Sequence, residues 1–598
     1  SCGEWWVTLV ILLHKWNNFK KFVEFAMVSV LADLDNSRGI AHKVQAALQG
    51  ILPDDFDWGF LPPDHEDHGH FASPVAFSLA KVWKKSPMTI AKELCALVLQ
   101  NPLIESAEPV AGYVNIRLKS FVFQQELGYI LTTGVRYGHQ GWGQNQVVNV
   151  EYVSANPTGP LHAAHARGAV LGDVVANLLQ AVGYRVVREY YINDAGQQVI
   201  RLAETVLCHC AALENNETAI IPEGLYPGAY GQEIAESFLR RHPQDWKTQS
   251  MQDVASFAVD QMMEDICSVL HDLGIHHDVF TSEKSLKSSG ILQKTMDALN
   301  QKDLVYTGVL PQPVGRDDPD WKPTPLMLFR SSRFGDDQDR ALQRSDGAWT
   351  YFANDIAYHW DKAGRSDHMI DVWGADHASH VQRMSGAVAA MAEKHLEVLL
   401  FQMVHFFHNG EVLKMSKRSG NFILLSDVLN LVGKDVLRFM ILTKKADTHL
   451  DLDIAKMQEQ SSSNPVFYVQ YAHARCCSVL RAAKPLFSEE KQRVQSLALA
   501  DFSGFLDDPL VTLLMDWPRQ VSESALHREP HRITNYLQKV ASAFHALWQK
   551  GNQNPTMKLV QADDLDKTYA SMACVQATAF VMASGLMMLG ITPKEELR

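Results

Sequence analysis

The stretch from Val147 to Ile192 limits the architectures open to this chain more than any other. Val147 to Val153 is a near-continuous apolar run, Ser154 to Pro160 has loop chemistry, Leu161 to Val182 is a helical pattern closed by Gly183, and Tyr184 to Ile192 is a second strand pattern. Two strands joined through a helix run parallel in one sheet, with a right-handed crossover in nearly all cases. A parallel sheet must be covered by helices on both faces, so this run commits the chain to an α/β core. Trp349 to Phe352, His368 to Gly374 and Val398 to Phe406 read as further strands, each followed by loop or helix, which predicts one doubly wound, Rossmann-like parallel sheet.

At 598 residues the chain is too long for one core, and a rough prior of about 150 residues per domain asks for three or four units. Residues 1–21 read as an N-terminal extension. Residues 22–118 combine helical patterns with a strand-like close at Gly112 to Leu118, as a small α+β domain does. Residues 119–445 carry the doubly wound block, interrupted by a mainly helical insertion at about 196–345. From 446 to 598 strand signals vanish, and Ile533, Tyr536, Leu537, Val540, Phe544, Leu547 and Trp548 fall three and four apart, so an all-helical bundle is expected.

A formal net charge of -13 argues against a protein that coats nucleic acid without selectivity, so any such partner must meet local basic surface. Eight cysteines without a CxxC pair suit free thiols in a reducing compartment, which places the protein in the cytoplasm. The apolar run Trp5 to Leu13 is shorter than the roughly 20 residues a membrane span needs and lacks positive charge ahead of it, so no membrane partner is expected.

Chemistry concentrates in two motifs. In Glu151-Tyr-Val-Ser-Ala-Asn-Pro-Thr-Gly-Pro-Leu-His-Ala-Ala-His-Ala-Arg167, His162 and His165 stand three apart where the first strand gives way to its helix. Backbone N–H groups and the positive end of the helix dipole make that point a polyphosphate site, and two imidazoles can donate to its oxygens. An isolated HxxH is more often a pair of ordinary histidines, and zinc lacks a third ligand nearby. The second motif, Lys414-Met-Ser-Lys-Arg-Ser-Gly-Asn421, offers two cations on a loop able to close on a leaving pyrophosphate.

Together these motifs resemble those of class I aminoacyl-tRNA synthetases, and in detail the chain resembles the bacterial type of arginyl-tRNA synthetase. The resemblance rests on Val150 to Pro160, Tyr191 to Gly196, Leu328 to Asp337, Tyr351 to His359, Trp373 to His377, Lys414 to Asn421 and Asn464 to Arg475, and covers roughly residues 60 to 595. It implies an arginine–tRNA ligase that activates L-arginine with ATP and transfers it to the 3′ end of tRNA(Arg), acting as a monomer. ATP would arrive with Mg²⁺ as substrate, without a protein-bound metal, and the tRNA would be required for the adenylation step. His162, His165, Lys414 and Lys417 would be catalytic. Pro157, Thr158, Gly159, Ala164, Asp376, His377, Met415 and Ser416 would hold ATP.

An arginine side chain needs carboxylates in fork geometry beside the phosphate site. Glu151 and Asp355 supply them, and the resemblance adds Tyr351 on the guanidinium with Ser154 and Asn156 on the amino and carboxylate end. Glu151 could also be a solvated strand end, and Asp355 a helix N-cap. On the helical domain, Tyr468, Tyr471, His473 and Arg475 are candidates for tRNA stacking and phosphate contact, with core packing equally open to the two tyrosines. His65, His68 and His70, Cys208 with Cys210, and the Cys476-Cys477 pair read as structural.

Two departures fall on the adenosine side. Ala164 stands where the family has glycine, and Ala378, Ser379 and His380 replace the usual His, Gly and Tyr. They keep a rival open, a noncatalytic tRNA-binding paralogue. A synthetase for another amino acid is a third reading, disfavoured because unpaired buried carboxylates beside a neutral side chain are penalised.

Overall fold

The computed structural model describes residues 39–597 except 62, 312–322, 409, 413–422, 499 and 507. The expectations for the opening residues and for Lys414, Met415, Ser416 and Lys417 lie outside the described residues.

The first unit folds as expected. β1 (Phe71–Ser73), β2 (Ile104–Val110) and β3 (Tyr113–Leu118) form an antiparallel sheet in the order β1-β3-β2, covered by helices Val75–Trp83 and Pro87–Val98, while helix Gly39–Ala47 packs against Trp517–His527. Ser86 caps the last of these by accepting from the Thr89 N–H, with Pro87 in the first turn. The next helix, Ser120–Thr133, sides with the C-terminal bundle: the Gln124 amide donates to the Ala500 carbonyl and its oxygen accepts from Phe502 N at 3.0 Å.

β4 (Val147–Glu151), helix His165–Ala181 and β5 (Arg185–Ile192) are the βαβ unit read from the sequence. Helices Gln197–Glu214, Tyr230–Arg241 and Met251–Asp272 follow with a core of their own. The expected helical insertion is nevertheless interrupted, because β6 (Val279–Ser282) returns to the main sheet and β7 (Val305–Gly308), β8 (Leu326–Phe329) and β9 (Arg340–Ala341) form a small antiparallel one. β10 (His368–Gly374) and β11 (Leu396–Phe401) complete five parallel strands in the order β11-β10-β4-β5-β6.

Three strand expectations need correction. Trp349 to Phe352 is no strand: Trp349 bridges only Gln343, Thr350 accepts from the Ala353 N–H as an N-cap, and a helix runs over Tyr351–Gly364. Its buried Ala353, Ile356 and Ala357 carry the helical period that the preceding aromatics obscured. The run Val398 to Phe406 divides into β11 and β12 (Val404–His408), because buried Arg167 donates to the carbonyls of Gln402 and Lys445, both at 2.8 Å, and so satisfies the break. β12 pairs antiparallel with β13 (Glu411–Val412) and parallel with β14 (Leu450–Asp453), a strand where none was expected.

The C-terminal block is the predicted helical bundle, built on Pro465–Ala483, Trp517–His527, His531–Gln553 and Leu565–Met588. Leu565–Met588 is long and apolar enough to cross a membrane, but 83% of its most apolar window is buried in the bundle, as a core helix is. Buried Arg438 ties this bundle to the sheet, donating to Asp173 at 2.5 Å, Leu589 O at 2.7 Å and Leu273 O at 3.1 Å.

Gly172 sets how closely helix His165–Ala181 approaches the strand exit. A Cβ there would lie 2.3 Å from the Cγ of Tyr152, which is itself buried. Gly172→Ala is expected to lower the unfolding free energy by about 1–3 kcal/mol in a denaturant titration, since the ring has no space to retreat into.

Candidate active site

The strand order reverses between β10 and β4, which opens a crevice at their carboxyl ends where ligands bind in sheets of this kind. Glu151 ends β4 and Gly374 ends β10. One residue beyond Glu151 the chain takes two left-handed residues, Val153 (φ 69) and Ser154 (φ 38). A β-branched residue in that region is strained and must be held there by its surroundings. The Ser154 hydroxyl does part of this, donating to Glu151 Oε1 at 3.0 Å and accepting from Tyr191 N at 3.0 Å. Tyr190 OH donates to Ala155 O at 2.7 Å and Tyr230 OH to Thr158 O at 3.0 Å, pinning the loop that carries exposed Asn156 and buried Pro157. A Cβ on Gly159 would come to 3.2 Å from the Tyr230 hydroxyl.

The loop delivers the two histidines together, with ring centroids 3.8 Å apart. His165 Nδ1 accepts from His162 N at 3.2 Å, which puts the proton of the neutral ring on Nε2. Ala164 between them is buried, with a helical φ of -64, so the backbone asks for no glycine at this position. His162 bridges Leu424, Ala163 N donates to Ile423 O at 2.9 Å and Leu425 N to Leu161 O at 2.9 Å. The residues that follow the lysine motif are therefore bonded to the backbone of the histidine motif.

Helix Tyr351–Gly364 lines the crevice from the side. Asp355, Tyr358, His359 and Lys362 follow the three- and four-residue spacing of one face. Thr350, not Asp355, caps the helix. Lys362 is fully buried, with Nζ 2.5 Å from Glu151 Oε2 and 2.8 Å from Asp371 Oδ1. Tyr358 OH lies 2.8 Å from Glu151 Oε2 and 3.0 Å from Glu189 Oε1, and His359 Nε2 lies 2.9 Å from Asp371 Oδ2. Arg365 grips Glu189 with two bonds of 2.7 and 2.6 Å. Burial pushes the Glu189 carboxyl up, but Arg365, Lys362 and Thr281 outweigh it and hold it at about 2.

Asp355 behaves differently. Burial pushes its carboxyl up to about 6; His359 opposes this, while Glu283, Glu151 and Asp371 add to it. Tyr191 is raised by burial and then by Glu283, Asp355, Glu151 and Asp194, and its ring packs 4.7 Å from that of Tyr358. Glu283 is the residue that sequence reading missed. It is buried at the head of the short helix Glu283–Ser288 after β6, and Asp194 sets that corner by accepting from Ser282 Oγ at 2.5 Å and Lys284 N at 2.9 Å. Its only sequence signal is an acidic residue after a short apolar strand inside a supposed insertion.

Tyr351 is 71% exposed at the mouth, with the Arg344 guanidinium 5.9 Å from its ring. Asp376 and His377 form an exposed 3-10 turn, 3.5 Å apart, followed by the exposed Ala378, Ser379 and His380 at the start of helix Ala378–Ala392. On the helical bundle, Tyr471 stacks on Phe467 (6.1 Å, 6°), and Arg475 lies 4.4 Å from the Tyr471 ring and 5.2 Å from that of Trp548. Half-buried Tyr468 packs 4.8 Å from His545. His473 does not belong to this surface: it is buried, with Nδ1 2.8 Å from Lys594 O. Its i+2 offset from Tyr471 turns it inward. His70 Nδ1 accepts from Leu118 N at 2.9 Å, and among the described residues no group of three or more His, Cys, Asp or Glu is placed to hold a metal ion.

Residues 38–118 match the family model of the arginyl tRNA synthetase N terminal domain, 126–213 that of the class I (R) tRNA synthetase catalytic domain, and 469–597 that of the DALR anticodon binding domain. The arginine–tRNA ligase of Parvibaculum lavamentivorans is 44% identical over 578 residues, 93% of this chain and 98% of its own. That of Methylorubrum extorquens strain PA1 is 45% identical over 580 residues with the same coverage. The solved Thermus thermophilus arginyl-tRNA synthetase shares the fold at a TM-score of 0.69 and 22% identity, covering 93% of this chain and 98% of that one.

Proposed function

The chain belongs to the arginyl-tRNA synthetases, and from that premise we propose how its own residues divide the work of an arginine–tRNA ligase. In the first step a carboxylate oxygen of arginine bonds to the α-phosphorus of ATP as the bond to the β-phosphate oxygen breaks, giving arginyl-adenylate and pyrophosphate. In the second, the terminal ribose hydroxyl of tRNA(Arg) bonds to the acyl carbon and AMP leaves.

Placement supports the roles of the described residues, and family membership those of the lysine motif. Asp355 and Glu151 select the guanidinium at the floor of the crevice, with Tyr351 at its mouth. Ser154 and Asn156 orient the amino and carboxylate end. His162 and His165 donate to phosphate oxygens as charge builds up, and Lys414 and Lys417 close on the pyrophosphate; none needs to carry a proton. Pro157, Thr158, Gly159 and Ala164 form one wall for ATP and Asp376 and His377 the other, and Met415 and Ser416 are assigned to ATP from the lysine motif. Mg²⁺ comes with the ATP and neutralises its phosphates. Phe467, Tyr471, Arg475 and Trp548 are an aromatic and cationic ladder of the kind on which unstacked bases settle. One chain carries all of these surfaces, so a monomer suffices, and its free thiols suit the cytoplasm.

The observation that carries this reading is that Glu151, at the carboxyl end of β4 just ahead of the HxxH turn, and Asp355 act on each other electrostatically. ATP–pyrophosphate exchange tests it: exchange is expected with arginine and tRNA(Arg) together, and with neither lysine nor citrulline. tRNA binding without exchange would favour the noncatalytic paralogue, and exchange with a neutral amino acid would remove the pocket assignment.

A further inference from the structure

A lysine with no exposed surface is costly, and it persists where its charge is matched on several sides. Lys362 is matched by Glu151 and Asp371 at 2.5 and 2.8 Å, with the Tyr358 ring 4.6 Å from Nζ. Burial lowers its affinity for a proton, and the charges of Asp371, Glu151 and Glu189 more than restore it, so it stays a cation. Glu151 thus reaches the crevice already partnered: Oε2 faces Lys362 and Tyr358, and Oε1 accepts from Ser154. Glu189 is likewise answered by Arg365, and Asp371 by Lys362 and His359.

Among the described residues Asp355 has no such cation. The groups that face it are His359 from its own helix, Glu283 from the helix after β6, Glu151 from β4, Asp371 from β10 and Tyr191 from β5. Three of these five are carboxylates, of which Glu283 has Lys287 Nζ at 2.5 Å; Tyr191 is a neutral phenol, and His359 spends Nε2 on Asp371. A substrate guanidinium would supply the missing positive charge at this one position.

We propose that Lys362 is a positioning residue that sets arginine selectivity: it neutralises Glu151 and Asp371 from behind the sheet edge, fixes the Glu151 carboxylate, and leaves Asp355 as the one charge the substrate completes. This rests on the reading of Glu151 and Asp355 as the guanidinium site. Without Lys362, two uncompensated carboxylates act on Asp355 and raise the pH at which it ionises. Removing Asp371 instead removes one negative neighbour and lowers that pH.

The test is kcat/KM for arginine in ATP–pyrophosphate exchange, with the full chain and saturating tRNA, from acid to mildly alkaline pH. Lys362→Met is expected to move the midpoint of the acid limb up by about one pH unit, which raises the arginine KM about twofold at pH 7 and about tenfold well below pH 6, with the ATP KM little changed. Asp371→Asn, nearly isosteric, is expected to move the midpoint down, and Lys362→Met combined with Asp371→Asn to return it close to wild type. Lys362→Arg keeps the charge and should keep the midpoint. An Asp371→Asn enzyme that folds and binds tRNA normally with an unmoved midpoint overturns the proposal, even if Lys362→Met fails to fold. Loss of the limb in Asp355→Asn is the separate check on the underlying pocket: if the limb survives there, that reading fails first.

Discussion

Asp355→Asn lowers kcat/KM for arginine by about 10²- to 10³-fold while leaving that for ATP within about threefold, because it deletes the anionic half of a buried charge pair. Asn keeps the shape of Asp and a hydrogen-bonding oxygen, so the loss reports charge. The same residue dictates the pH dependence. In the free protein burial, reinforced by Glu283, Glu151 and Asp371, pushes Asp355 up to about 6, whereas a bound guanidinium favours its ionised form. Arginine binding therefore strengthens as pH rises through about 6 and is flat above. Below it, log kcat/KM for arginine falls by about one per pH unit. Steady-state exchange across pH with wild type and Asp355→Asn decides this; equal losses for arginine and ATP, or a limb that persists without the carboxyl, would sink the assignment.

His165→Ala has the second large effect, on the chemical step and not on binding. With Nδ1 engaged by the His162 N–H, the imidazole presents its Nε2 proton as a donor whose value grows as the phosphates gain charge. Loss of one such donor costs about 10²- to 10³-fold in kcat, with KM for ATP and arginine changed far less. Single-turnover adenylate formation at saturating substrates measures it directly. A large rise in the ATP KM with unchanged kcat would make His165 a ground-state binding group, and the charge-stabilising role would have to move to His162 and the lysines. Because Ile423 to Leu425 are bonded along Leu161 to Ala163, thermal unfolding of the variant should accompany the kinetics, to separate a lost donor from a loosened loop.

Much of the site was legible beforehand because it is local. The β4–helix–β5 unit, the HxxH spacing and the position of Glu151 at a strand end all follow from period and offset within one short stretch, which long-range packing does not alter. Asp355 was found by its distance from Tyr351, although the strand expected over Tyr351 turned out to be the first turn of a helix capped by Thr350. Glu283 was missed because β6 is only four residues long and sits in a stretch dominated by helices. His473 was misplaced for the opposite reason: its helix was read correctly, but the tail carbonyl of Lys594 that holds it inside lies 121 residues away.

The residues alone were enough to determine the parallel sheet, the two-histidine turn and the acidic character of the pocket, since each is written in spacing that the backbone reads within a turn or a strand. Which carboxylate carries a free charge was decided only by the tertiary structure. Strand order sets β10 beside β4 and brings Lys362, 211 residues from Glu151 along the chain, between Glu151 and Asp371. Electrostatic energy depends on distance through space, so two carboxylates that look alike in the sequence emerge with different jobs, Glu151 partnered from within and Asp355 awaiting its substrate.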